Sequence, residues 1–272
     1  MVAVGEDFRG GWFRRLYAPV NPAGLKLALL FGLALFGINQ VLQLAGAVAL
    51  AKGLFGADAG NVRDFVKASL VAIFPVSLIT AACAWGLAGL RGGVATEVLA
   101  MRRPRFTALG WLLLLACFMV GMYAAILVIV MVFGIDLAQY TPGPDGQSPE
   151  TGSAGLVKEA MFDIANSPWL FWLVFPSVAL GAPIAEELIF RGQLFSALSR
   201  TRLGISGTSL VTAALWAFMH VSEPWLSIAL IFVMGLGFGW MMYRFGSIWV
   251  TMACHAAWNS VYALAIFGAA GP

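Results

Sequence analysis

Charged side chains are scarce in this sequence of 272 residues, because only 11% of them are Asp, Glu, Lys or Arg. An ordinary soluble domain carries about 25% charged residues. Hydrophobic residues make up 61% of the chain, which is more apolar surface than one core of this size can bury. The composition therefore excludes a free-standing cytosolic enzyme, a secreted disulfide scaffold and a disordered chain, and it indicates a protein whose main solvent is lipid.

The chain also has few cysteines and a small net positive charge. Cys83, Cys117 and Cys254 are far apart and match no metal-binding or disulfide spacing. Each lies in an apolar stretch, which is typical of a buried, unreactive thiol. The net charge of +3 is too small to favour nucleic-acid binding. Neither an HExxH helix nor a CxxC pair occurs, so both standard zinc signatures are absent.

Long apolar runs, by contrast, fill most of the chain. A helix needs about 20 predominantly apolar residues to cross a bilayer. The sequence predicts such spans near 25–51, 66–90, 107–134, 168–199, 204–222, 224–243 and 247–270. The predicted fold class is therefore an all-α polytopic membrane protein.

Basic residues set the predicted orientation of these spans. With a cytoplasmic N-terminus, 12 of the 16 Lys and Arg residues fall on the cytoplasmic side and 4 on the other. Residues 1–24 are then a cytoplasmic segment, in which FRGGWFRRL at 8–16 predicts an interfacial helix or a simple positive flank. The rest divides into three transmembrane helices in 25–134, an extracytoplasmic polar loop at 135–167 with an amphipathic turn near 156–164, and a helical core at 168–272.

Three charged residues lie inside the fourth span, where a charge costs about 2.5–3.5 kcal/mol on insertion scales. Glu187 and Arg191 are four residues apart with the acid first, which favours an ion pair along the helix. Glu186 points about 100° away around the helix and has no basic residue at helical spacing. The sequence therefore predicts that Glu186 has its partner on another helix.

Both histidines of the chain also lie in apolar spans, and Asn259 follows His255 by one helical turn. Counting from a turn at 201–205 places Glu186 and His220 at one depth, with His255 about 12 Å into the last span. A glutamate base, histidines and an amide donor are typical of acyl-transfer hydrolysis. Glu186, His220 and His255 would also supply the three protein ligands of a catalytic zinc. The alternative is interhelical hydrogen bonding without catalysis.

The motifs on these helices resemble a known family. EELIFRG at 186–192, a later helix ending in His220 and HAAWN at 255–259 are similar, in this order, to the CPBP family. That family comprises type II CAAX prenyl proteases and bacterial Abi or bacteriocin-processing proteins, with the pattern EExxxR, FxxxH and HxxxN on successive membrane helices. Trp216 departs from the pattern, because the family usually has Phe there.

The resemblance implies an intramembrane endopeptidase of about seven to eight transmembrane helices, with its catalytic cluster inside the C-terminal core. It implies a peptide or membrane-anchored protein as substrate, and a bacterial or archaeal cell membrane as location. No cofactor is firmly implied, and a divalent metal such as zinc stays open. The implied roles are water activation for Glu186, charge balance for Glu187 and Arg191, assistance to the base for His220, and oxyanion stabilisation for His255 and Asn259.

Other functions remain open at this point. GISG at 204–207 matches a GxSG pattern, so Ser206 with His255 would suit a rhomboid-like serine protease. Glu186, His220 and His255 would also suit a proton relay in a proton-coupled transporter. A non-catalytic membrane partner or immunity factor would use the same polar cluster only to hold helices together.

Overall fold

The computed structural model describes residues 4–11, 13–21, 23–56, 61–136 and 152–270, with side chains in the last range from 155 to 265. In this part of the chain the secondary structure is helical, and only isolated bridges pair Gly5 with Phe106 and Met101 with Ser247. The predicted all-α polytopic membrane fold is confirmed. The helices are α1 Gly24–Phe55, α2 Val62–Leu90, α3 Ala95–Val98, α4 Ala108–Phe133, α5 Gly152–Ala165, α6 Pro168–Leu198, α7 Gly204–Phe218, α8 Trp225–Phe245 and α9 Ile248–Ala270.

Each of the seven predicted spans coincides with one long helix. Five of these helices, α1, α2, α4, α6 and α8, are long and apolar enough to cross a membrane. Helix α7 is apolar but has 15 residues, about 22 Å at 1.5 Å per residue. This is shorter than the hydrocarbon core of a bilayer, which is about 30 Å thick.

The predicted polar loop at 135–167 contains a helix. Residues 137–151 lie outside the described part, and α5 occupies 152–165, so the helix is longer than the predicted amphipathic turn. It buries Ala160 and Ile164, and Asp163 forms an ion pair with Arg63 of α2 at 2.9 Å. Helix α5 is thus docked on α2, while the extracytoplasmic position of this region stays a prediction.

Helix α6 is the most enclosed of the five membrane-length helices. In its most apolar window 56% of the residues are buried, against 17% to 39% in the other four. Helices α1, α2 and α9 pack around it. Glu187 and Arg191 of α6 are completely surrounded by protein rather than lipid, which is the arrangement that makes charge in a membrane helix tolerable.

The segment before α1 crosses the ends of the transmembrane helices. The Tyr243 carbonyl in α8 accepts the backbone N–H groups of Leu16 and Tyr17 at 3.1 and 3.2 Å. The alternative of an interfacial helix at 8–16 does not match the described residues there. Gly10 and Gly11 have φ values of 89° and 81°, which lie outside the helical region.

Buried Arg91, at the end of α2, ties this segment to α6. Its Nη2 donates to Asn21 Oδ1 at 2.7 Å, and its Nη1 donates to Gln193 Oε1 at 2.8 Å and Ser196 Oγ at 3.1 Å. Gln193 in turn donates to the Ala84 carbonyl at 3.0 Å. The N-terminal segment, α2 and the end of α6 thus share one buried hydrogen-bond network.

A second buried hydrogen-bond cluster, centred on Asp7, holds the N-terminal segment in place. It predicts that the stability of the fold decreases in acid. Asp7 is buried, and it accepts both Nη groups of Arg102 at 2.9 and 2.6 Å and the Arg105 N–H at 2.8 Å. Burial opposes the Asp7 charge, but these donors outweigh it and hold the pKa of Asp7 below its usual value. A lowered pKa in the folded state stabilises the fold above the unfolded pKa of about 4, and this contribution is lost as pH falls through the lower folded pKa.

Asp7→Asn is therefore expected to lower the free energy of unfolding at pH 7 by about 1–3 kcal/mol, the usual contribution of hydrogen bonds to a charged group. Melting temperatures of wild type and variant, measured between pH 7 and 3, check this. The difference between the two proteins should shrink toward pH 3. A difference that is constant with pH would contradict the assignment.

Candidate active site

Helix α6 is not a regular α-helix around its charged residues. Two π-helical segments, Ser177–Gly181 and Leu188–Leu194, flank the short α-helical segment Ala182–Glu187. The Ala182 N–H bonds to the Ser177 carbonyl, five residues back. Such π-turns frequently occur at functional sites because they re-aim side chains within a helix. Here they set the direction of Glu186 and Glu187.

Glu187 is the buried centre of an ion-pair network. Its Oε1 accepts Arg191 Nη1 at 2.9 Å and His255 Nδ1 at 3.2 Å, and neither Glu187 nor Arg191 is exposed. The ion pair along the helix that the sequence predicts is thus formed. Because His255 donates from Nδ1, its Nε2 is the nitrogen directed away from Glu187 and available for chemistry.

Glu186 lies beside that second nitrogen. Its Oε2 is 4.0 Å from His255 Nε2, and its side chain is 26% exposed. The same oxygen accepts the indole N–H of Trp216 at 2.5 Å. Glu186 thus has its predicted partners on other helices. The separation of 4.0 Å allows one water molecule to hydrogen-bond to both the carboxylate and the imidazole.

Aromatic rings enclose the charged groups. The Arg191 guanidinium lies 4.5 Å from the ring centre of Trp216 and 5.0 Å from that of Phe238. His255 contacts the same two rings, at 5.2 Å and 5.7 Å between centres. These rings exclude water and add cation–π attraction to a buried guanidinium. Electrostatic interactions inside the cluster are therefore stronger than they would be in water.

His220 reaches the cluster through Trp216. It lies two residues beyond the end of α7, and its Nδ1 bonds to the Trp216 carbonyl at 2.9 Å. Its ring packs edge-on against the Trp216 indole, 5.9 Å between centres. Trp216 therefore touches His220 with its carbonyl and Glu186 with its indole N–H. The contact between the Trp216 indole and Glu186 was not predicted from the sequence. The signal for it was Trp216 itself, which stands where the family usually has Phe.

Asn259 bonds to the backbone of α6, and its oxyanion role stays a prediction. Its Nδ2 donates to the Val178 carbonyl, in the first π-turn of α6, at 3.0 Å. His255 and Asn259 share one face of α9, as their spacing requires. His255 bonds to Glu187 and Asn259 bonds to the backbone of α6, so α9 holds α6 at two points.

The three predicted zinc ligands do not form a coordination set. Among the residues that the structure describes, no group of three His, Cys, Asp or Glu side chains is arranged to hold a metal ion. The Nδ1 atoms of His255 and His220 bond to Glu187 and to the Trp216 carbonyl. Since Glu186, His220 and His255 do not converge on one point, the arrangement does not fit zinc.

Ser206 lies far from the cluster. It is exposed in the first turn of α7. It is ten residues from Trp216, the α7 residue that contacts His255, which corresponds to about 15 Å along the helix axis. The serine-protease alternative needs Ser206 and His255 within hydrogen-bond distance, so the structure gives it no support.

Comparison with protein families gives a match across this region. Residues 168–261 match the family model described as Type II CAAX prenyl endopeptidase Rce1-like. The matched range begins at the first residue of α6 and includes all six predicted site residues, and the resemblance inferred from the motifs is confirmed. Searches of curated proteins and of solved structures each return no significant match. Residues 168–261, about a third of the chain, are therefore similar to the Rce1-like type II CAAX prenyl endopeptidase family.

Proposed function

We propose that this protein is an intramembrane endopeptidase in which Glu186 activates a water molecule for attack on a substrate peptide bond. The match of residues 168–261 to the Rce1-like family supports a CAAX-type intramembrane protease at the family level. The observation that carries the finer proposal is the placement of Glu186 Oε2 4.0 Å from His255 Nε2. A general base and a hydrogen-bonding group are thereby held on either side of one water site.

In this mechanism, Glu186 takes a proton from the water as the water oxygen bonds to the substrate carbonyl carbon. The carbonyl becomes a tetrahedral oxyanion, and protonated His255, whose Nδ1–H stays on Glu187, donates its Nε2–H to that oxyanion. Collapse of this intermediate breaks the C–N bond, and Glu186 returns the proton to the leaving amine. One water is consumed, and the products are a new carboxylate and a new amine.

The surrounding groups prepare Glu186 for this role. The charge of Arg191 is balanced by Glu187 along the same helix, so the Glu186 carboxylate does not have to neutralise it. The indole N–H of Trp216 holds one carboxylate oxygen. A catalytic group that is already oriented needs no reorganisation as the reaction proceeds.

The substrate in this proposal is a peptide or protein associated with the membrane, CAAX-like or other. An apolar cavity of about 540 Å³ lies between α4 and α8, with Phe118 and Met234 among its lining residues. Phe118 stacks on Phe238 at 5.7 Å, and Phe238 contacts His255. Hydrocarbon of a membrane-associated substrate can thus be buried two side chains, Phe118 and Phe238, away from His255.

Purified wild-type protein is expected to cleave membrane-tethered peptides. The test offers a prenylated CAAX peptide, its unprenylated form and a panel of lipid-tethered peptides, with and without a metal chelator. Mass spectrometry should show one water added across the cleaved bond. Cleavage should be insensitive to the chelator, because the site residues are not arranged to hold a metal.

Ser206→Ala is the matched control for the serine alternative and is expected to cleave at the wild-type rate. Absence of cleavage of every peptide by wild type would contradict the proposed function. Loss of cleavage in Ser206→Ala would instead indicate a serine protease.

A further inference from the structure

We infer that Asn259 is a positioning residue: it binds the Val178 carbonyl that Pro183 leaves without a backbone donor, and it thereby fixes the π-turn that carries Glu186. The resemblance assigns Asn259 a different role, at the oxyanion. The inference rests on the hydrogen-bond partners of a few backbone groups in α6. Its consequence for catalysis, although not the hydrogen bond itself, rests on the proposed function.

The Val178 carbonyl receives no backbone N–H from α6. In an α-helix the Val178 carbonyl would accept the N–H of Ala182, but that N–H bonds to the Ser177 carbonyl instead. In the π-helical register the donor would be residue 183, which is Pro and has no N–H. Val178 therefore has no donor within its own helix. An unpaired carbonyl inside a membrane protein costs several kcal/mol. The amide of Asn259 avoids this cost by donating to the Val178 carbonyl.

The same arrangement occurs on the other side of the π-turn. Pro75 lies inside α2 and removes the N–H that would bond to the Val71 carbonyl. The hydroxyl of Ser177 donates to that carbonyl at 3.1 Å, and it accepts the Phe74 N–H at 3.3 Å. Each proline thus frees a carbonyl that a side chain of a neighbouring helix satisfies, and both bonds converge on the segment Ser177–Gly181.

These bonds set the position of Glu186. On α9, Asn259 binds Val178 and His255 binds Glu187, so the two contacts lie on either side of Glu186 along α6. With both in place, α6 can neither slide along α9 nor turn against it without losing a buried hydrogen bond. Through this hydrogen bond, Asn259 acts on the catalytic carboxylate by way of the helix backbone.

The test is a double-mutant cycle between Asn259→Ala and Pro183→Ala. In wild type, Asn259→Ala leaves a buried carbonyl unpaired, and we expect a lower melting temperature and a kcat reduced about tenfold, with KM little changed. Pro183→Ala restores a backbone N–H that can bond to the Val178 carbonyl. In that background, Asn259→Ala is expected to change the melting temperature and kcat much less, so the two substitutions are coupled.

Ser260→Ala is the matched control, because its hydroxyl bonds only to Ala256 in its own helix among the contacts that the structure gives it; it should show no coupling to Pro183. Equal losses of melting temperature from Asn259→Ala in both backgrounds would overturn the inference. Recovery of melting temperature without recovery of kcat would also overturn the inference. That result would favour the role of Asn259 in stabilising the oxyanion. The melting temperatures report on the hydrogen bond even if no peptide is cleaved. Failure of the proposed function can therefore be distinguished from failure of this inference.

If Pro183→Ala does not yield folded protein, Asn259→Asp replaces it in the test. An ionised carboxylate places an acceptor against the Val178 carbonyl, so at high pH this variant should melt below Asn259→Ala. An equal or higher melting temperature would overturn the inference.

Discussion

Glu186→Gln is expected to lower kcat for peptide cleavage by about a thousandfold, within the range that a positioned general base contributes. The introduced amide has nearly the shape of the carboxylate but cannot take a proton from water. Its oxygen can still accept the indole N–H of Trp216, which bonds to Glu186 at 2.5 Å in the native protein. We therefore expect a folded protein of near-native melting temperature that binds substrate and does not cleave it.

The measurement is kcat and KM of purified wild type and variant on one membrane-tethered peptide, with melting temperatures recorded in parallel. Glu97→Gln is the matched control, because this exposed glutamate lies in the short helix α3, outside the α6, α7 and α9 helices that carry the site. Retention of cleavage by Glu186→Gln would contradict the proposed mechanism. Retained biological activity together with a lower melting temperature would instead favour a non-catalytic membrane partner.

The helical architecture could be predicted from the sequence because lipid imposes a simple rule. A segment that crosses a bilayer must pair its own backbone groups and be apolar over about 20 residues. Predicted and observed limits accordingly agree within a few residues for α2, α4, α6 and α8. Helix α5 was predicted less well, since its side chains are partly polar and its docking depends on contacts with α2, such as Arg63 with Asp163.

The site was predictable to the extent that its geometry follows from spacing along one helix. Glu187 and Arg191 are four residues apart and form their ion pair. The contact of His255 with both glutamates depends on how α9 is rotated against α6, which the hydropathy of either helix does not specify. Counting residues from the α6–α7 turn also assumes 1.5 Å per residue, and the π-helical segment Leu188–Leu194 has a different rise.

Trp216 and Pro183 show what kind of information was missing. An indole N–H is a hydrogen-bond donor wherever Trp occurs, but only the packing of α7 on α6 directs it to Glu186. Pro183 signals a carbonyl without its backbone donor, yet the sequence alone does not say which residue satisfies that carbonyl. The chemistry of single residues was thus predictable, and their pairing across helices was not.

Arg191→Met is expected to lower the free energy of unfolding by about 3–5 kcal/mol, the usual cost of removing one partner of a buried ion pair. Neither Arg191 nor Glu187 is exposed, so the substitution leaves the Glu187 carboxylate buried without its guanidinium. The contacts of Arg191 with the rings of Trp216 and Phe238 are lost as well. Equilibrium unfolding in detergent measures the effect, with Arg105→Met as control, because the Arg105–Glu6 pair is largely exposed and should contribute little.

The double variant Glu187→Gln with Arg191→Met should recover much of this stability, because it buries no unpaired charge. Proteolysis should not recover with it. Glu187 accepts the Nδ1–H of His255 at 3.2 Å, and a neutral amide accepts that N–H less strongly than a carboxylate does. A double variant that is stable and inactive would separate the two functions of the pair, since Arg191 offsets the cost of burying Glu187 and Glu187 orients His255 toward Glu186. A double variant as unstable as Arg191→Met, or one as active as wild type, would contradict this division.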